Sequence, residues 1–349
     1  MFVRLMLNGA RLCASASAAA LTIISRLPNI HVLRLVFQTQ PRSVGVPKKL
    51  CSRHAGGGNT LRSMTKISRA KQTIGQGGLP LVRIETPWSV AEIYLQGATV
   101  THFQKHGEAA LLFLSALSRF EKDAPIRGGI PVIFPWFGKP ADKPGQHGFV
   151  RSRVWELAGT KSNTDGSVEA RFKLPSCAEL PSIGVEYVVT VGETLTAELI
   201  VKNGSASEFV FENCLHTYFT VGDIHQTSLT GLKGVEYLDA VDNFARKTEQ
   251  GDAIRFIAET DRVYFNTPHT TEILDAALRR IVRVEKENSV STVVWNPWVE
   301  KAKRMVDYGD EEYLRMVCVE SGNVRTEAIK LVPGGVATLK VKLSSAPLR

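Results

Sequence analysis

The amino-acid sequence predicts an all-β protein built as one large domain, on three observations. Short segments of alternating apolar and polar residues, bounded by Gly, Asn, Ser or Pro, recur from Leu79 to the end of the chain. They do not alternate with long helical periodicities, which argues against a parallel sheet. A length of 349 residues with 44% apolar and 22% charged content suits a globular body with a sizeable core.

In chain order, the first region is a basic leader, residues 1–72. Residues 1–84 carry 13 Lys/Arg and no Asp or Glu, so the formal charge of +9 arises there, and the rest holds 30 basic against 34 acidic residues. A basic excess confined to one end gives no ground for a nucleic-acid partner. The leader is rich in Arg, Ser, Ala and Gly, and its apolar patch, 12–25, is too short and punctuated to span a bilayer. It reads as disordered and dispensable for folding, and it fits an organellar transit peptide. A start at Met64 and a secretory signal stay open. Either of the first two readings implies a reducing compartment: cytoplasm, plastid or mitochondrion. Cysteine usage agrees: of five cysteines, Cys13 and Cys51 fall in the leader, and the remaining Cys177, Cys214 and Cys318 are odd in number, scattered and without a C-x-x-C pair. Neither a membrane nor a nucleic-acid partner is expected, and the protein is expected to act as a monomer.

The body, 73–345, reads as strands at 81–85, 91–95, 98–103, 167–174, 185–191, 195–201 and 336–343. Brief helices are expected at 111–120 and 296–305. No G-x-G-x-x-G, Walker-type loop, H-x-x-x-H or H-E-x-x-H occurs, so neither a cofactor nor a metal is expected.

One stretch departs from sandwich-like sequence: Arg127-Gly-Gly-Ile-Pro-Val-Ile-Phe-Pro-Trp-Phe-Gly138, followed by Gln146-His-Gly-Phe-Val-Arg151. Two glycines, Gly128 and Gly129, and two prolines inside its apolar run are poor strand material. Arg127 and Arg151 sit in loop sequence where two guanidinium forks can converge on a phosphate or carboxylate, although surface ion pairs are the plainer reading. Gln146 can donate and accept beside them. His147 and His216 fit either core positions or a cleft. Glu320 closes an apolar strand, where burying a carboxylate is costly unless a partner or a function compensates. Asp261 suits a sugar hydroxyl or a turn cap, and Trp295 and Trp298 offer faces for a sugar ring.

Together these segments, with Glu212-Asn-Cys-Leu-His-Thr-Tyr-Phe219, Thr260-Asp-Arg-Val-Tyr264, Val294-Trp-Asn-Pro-Trp298 and Val317-Cys-Val-Glu-Ser-Gly-Asn323, resemble the hexose-phosphate mutarotase branch of the aldose 1-epimerase family over most of 80–345. One departure is Val150, where that family usually has a small residue before the arginine. The resemblance implies a galactose mutarotase-like β-supersandwich and interconversion of the α and β anomers of D-glucose 6-phosphate. It implies His216 as general acid and Glu320 as general base. Arg127, Gln146 and Arg151 would hold the phosphate, while His147 and Asp261 would bind the sugar. An ionised Glu320 facing a protonated His216 is the expected competent state. An aldose 1-epimerase acting on unphosphorylated sugars and a non-catalytic sugar-phosphate-binding protein are the alternatives.

Overall fold

A computed structural model describes residues 68–348; the 1–67 part of the leader lies outside them. The first strand, Arg69–Ile74, begins ahead of the boundary read at residue 73, and the last, Val336–Pro347, ends just past 345. Every named strand pairing is antiparallel. A four-stranded meander (Arg69–Ile74, Pro80–Glu85, Ser89–Tyr94, Val100–Lys105) leads into two large sheets of nine and eight strands.

The nine-stranded sheet shows why alternation predicted strands so well. In Val336–Pro347, Leu339, Val341 and Leu343 are fully buried while Lys340 and Lys342 point outward, opposite the same pattern in Leu195–Asn203. Its outer face carries cross-strand ion pairs such as Lys340–Glu287 and Arg171–Glu186. Its inner face shares one core with the eight-stranded sheet: Leu339, Val341 and Val282 join Leu215, Val294, Val317 and Val319 in a single apolar cluster.

Those eight-stranded residues alternate with others that face the opposite way, so this sheet has two buried faces, one in the core and one lining a cleft. That is why Ser291–Asn296 and Met316–Asn323 are buried at every position and read in sequence as unbroken apolar runs.

The expected helices are mostly absent. Residues 111–120 are extended and turn-like: Leu111 N–H donates to Phe103 O and Phe113 N–H to Tyr218 O, so these amides bond to neighbouring segments instead of closing helical turns. The 296–305 helix contracts to Trp298–Ala302. Among the described residues no helix is long and apolar enough to cross a membrane.

Candidate active site

The register of four strands builds the floor of the cleft. Trp295 pairs with Cys318 and Val293 with Glu320; Tyr218 pairs with Cys318; Asp261 pairs with Trp295. Because side chains alternate with period two, Cys214, His216 and Tyr218 share a face with Gly322, Glu320 and Cys318 on the neighbouring strand. Glu320 therefore projects from the middle of Met316–Asn323 and not, as expected, from a strand end. Asp261 likewise stands on Thr260–Phe265 facing the cleft, which removes the turn-cap alternative.

The loops supply the rim. At Gly129 (φ 67°) a Cβ would lie 2.1 Å from Val100 O, and at Gly148 (φ 66°) 1.8 Å from Phe134 O, so the 127–151 segments lie against their neighbours at a distance only glycine permits. His147 N–H donates to Gly138 O at 2.7 Å, and Gly138 N–H donates back to His147 Nδ1 at 3.2 Å. This reciprocal pair fixes the ring and leaves Nε2 to carry the proton of the neutral imidazole, so the Gln146 amide 3.0 Å away accepts from it through its oxygen once the amide is turned end for end.

Arg127, Gln146, His147, Arg151, His216, Asp261 and Glu320 all line one cavity of about 450 Å³. Trp295 lines it too. Trp298 does not, and packs against Tyr313 and His225 instead. Tyr218, Lys301 and Asp307 were not singled out by sequence. Tyr218 stacks on His216 at 4.7 Å and accepts a hydrogen bond from Arg127 at 3.0 Å. Its position two residues after His216 on a strand was the available signal. Lys301 bridges Glu259 (2.9 Å) and Asp261 (3.2 Å). Asp307 holds Arg127 at 3.2 Å.

The two arginines differ. Arg127 is committed to Asp307 and Tyr218, whereas Arg151 donates only to the Gln146 carbonyl at 2.8 Å and meets no carboxylate among the described residues. Burial, reinforced by Arg127, brings the Arg151 pKa down to about 10, which still leaves it charged at neutral pH.

His216 Nδ1 lies 3.3 Å from Glu320 Oε1, without the alignment of a hydrogen bond. Glu320 Oε2 accepts from Cys214 Sγ at 3.5 Å. Burial drives Glu320 well above the usual carboxylate range, with Asp261 adding to the effect. Burial also drives His216 well below the usual imidazole value, helped by His147, Arg151 and Arg127. In the free cleft burial thus pushes both groups toward their neutral forms, and no hydrogen bond between them among the described residues supports the charged pair expected of the competent state.

This floor-and-rim arrangement matches a known family: the aldose 1-epimerase model aligns with residues 80–344. The chain belongs to the aldose 1-epimerase family. As a member it is an isomerase that interconverts sugar anomers. It is 37% identical over 270 residues to "Putative glucose-6-phosphate 1-epimerase" of Cenchrus ciliaris, covering 74% of this chain and 82% of that protein. A protein of the same name from Escherichia coli K12 is 36% identical over 251 residues, covering 70% and 83%. Among solved structures, the "putative mutarotase" YeaD of Salmonella typhimurium superposes with a TM-score of 0.73 at 29% identity, over 80% of this chain and 94% of that one. In this epimerase the cavity described above lies on the face of the eight-stranded sheet that looks away from the shared core.

Proposed function

We propose that this epimerase acts on glucose 6-phosphate, with Glu320 and His216 as its acid/base pair and Arg151, Arg127 and Gln146 as its phosphate site. The observation that carries the phosphosugar reading is Arg151, a guanidinium in the cleft wall answered, among the described residues, by one main-chain carbonyl and no carboxylate. A neutral sugar gives no reason to bury a second cation beside Arg127, whereas a phosphate dianion accepts from both forks. The names of the relatives support the same substrate.

In this reading Glu320 takes the proton of the anomeric hydroxyl while His216 protonates the ring oxygen. The C1–O5 bond breaks, C1 rotates as an aldehyde, and closure on its other face returns both protons. Opening the ring leaves Glu320 protonated and His216 neutral, the pair that burial favours in the free cleft. The cleft is therefore matched to the open-chain state. The bound phosphate offsets the field of Arg127 and Arg151, which depresses His216, and so helps to charge the acid before the step. Asp261, Lys301, His147 and Trp295 line the same cavity, which supports hydroxyl contacts for the first three and ring stacking for the indole.

The test is anomer exchange of glucose 6-phosphate and of glucose, followed by NMR. Arg151→Ala removes a charge-assisted contact of about 1.5–3 kcal/mol, so kcat/KM on the phosphosugar is expected to fall by about 10- to 150-fold with little change on glucose. Equal losses on both sugars would refute the phosphate site.

A further inference from the structure

We propose that His216, Cys318 and Glu320 form a binding site for a thiophilic divalent cation of the zinc class, and that the ion silences the enzyme by occupying the acid/base pair. The imidazole nitrogen, the thiol and the carboxylate oxygen all lie within 4.8 Å of one another. All three residues are more than nine-tenths buried, at 6%, 0% and 1% exposure. Among the described residues His216 Nδ1 has no hydrogen-bond partner, although Glu320 Oε1 is only 3.3 Å away.

Zinc bonds to sulfur at about 2.3 Å and to nitrogen or oxygen at about 2.0–2.2 Å, so tetrahedral geometry sets its ligands about 3.3–3.8 Å apart. The nitrogen and the carboxylate already stand at that separation. The thiol needs a movement on the order of 1 Å to join them. Strand register produces this arrangement, since Cys318 and Glu320 alternate on one strand and Cys318 pairs with Tyr218, two residues from His216. The ligands come from segments a hundred residues apart, which is why no local spacing signalled a metal.

Binding displaces the Cys318 and Glu320 protons to solvent. One thiolate and one carboxylate then cancel the dipositive charge, leaving a neutral complex where burial penalises any other. A thiolate and an imidazole select zinc or cadmium over magnesium or calcium, which require oxygen ligands. Arg127 and Arg151 face the same cavity and weaken cation binding. Metal and sugar are mutually exclusive, because both need Glu320 and His216.

The binding half of this proposal is independent of the acid/base reading, whereas the inhibitory half rests on it. Full-length protein is titrated with cadmium and the thiolate-to-metal charge-transfer absorption is read directly. The expected result is a band that saturating glucose 6-phosphate suppresses, that Cys318→Ser and Cys318→Ala abolish, and that the remote Cys177→Ser retains. Zinc is expected to inhibit anomer exchange reversibly, with a chelator restoring activity and magnesium having no effect. Cys318→Ser should need at least about ten-fold more zinc for the same inhibition. A band that survives loss of Cys318 or ignores the sugar phosphate would overturn the site, and the sugar-phosphate arm needs no substitution. A sugar-sensitive, Cys318-dependent band with unimpaired turnover would overturn the inhibitory role and, with it, the assignment of the acid/base pair.

Discussion

Two buried arginines show how differently this protein treats charge in its scaffold and in its cleft. Arg280, on the inner face of the nine-stranded sheet, donates to the carbonyls of Ala109, Ala110 and Thr220 and stands 3.8 Å from the buried carboxylate of Asp275. Arg151, in the cleft wall, has one carbonyl and, among the described residues, no carboxylate. Arg280 ties the 109–110 segment and the end of Tyr218–Thr220 to the far sheet, so its charge is spent on structure. Arg151 keeps donors free. Glu320 and His216 extend the contrast, being buried titratable groups that, among the described residues, are addressed by a thiol and an unaligned neighbour. Where a buried charge meets several carbonyls and a carboxylate it is a brace, and where it is left short it is available to a ligand.

The sharpest way to break this comparison is Glu320→Gln, which keeps the shape and removes the base. Anomer exchange is expected to fall by at least about 10²–10⁴ on phosphorylated and free sugar alike, with glucose 6-phosphate binding and the melting temperature retained. A fully active variant would return the cleft to a binding role.

The reciprocal change is Arg280→Ala, which strands Asp275 without its cation. A loss of about 3–5 kcal/mol in unfolding free energy is expected, with no preference between the two sugars in the activity that remains. An Arg280 variant as stable as the wild type would remove the brace from the comparison.

Lys286 lies between the two cases. Its ammonium donates to Thr267 Oγ1, Ser291 O and Thr292 Oγ1, all uncharged, and burial brings its pKa down from 10.5 to about 7. Between pH 7 and 10.5 the unfolded chain thus binds more protons at this lysine than the folded one does, so its contribution makes stability rise with pH. Denaturant unfolding across that range should show Lys286→Met lacking a slope of up to about 1.4 kcal/mol per pH unit. Parallel curves for variant and wild type would mean that the three oxygens hold the charge as well as Asp275 holds Arg280.

The smallest effect belongs to the outer face. Lys340→Ala breaks the exposed pair with Glu287 and is expected to cost less than about 1 kcal/mol, decreasing with added salt, with unchanged anomer exchange.

Sequence by itself determined most of the scaffold. Alternation in 195–201 and 336–343 is a local property, since each side chain's face follows from its parity, and the strands formed there. It also showed the unusual residue types of the cleft: glycines where backbone must approach backbone, and a glutamate inside an apolar run. Tertiary structure alone decided what those residues meet. Extended pairing with Phe103 and Tyr218 overrode the helical reading of 111–120, and Trp295 entered the cavity while Trp298 packed elsewhere. Whether Arg127 would find Asp307 while Arg151 found no acid, and whether Glu320 and His216 would be charged or neutral, depends on neighbours up to 180 residues away and on the water they exclude. Charge state follows from depth and company, and a linear sequence carries neither until strand register brings its distant segments onto one face.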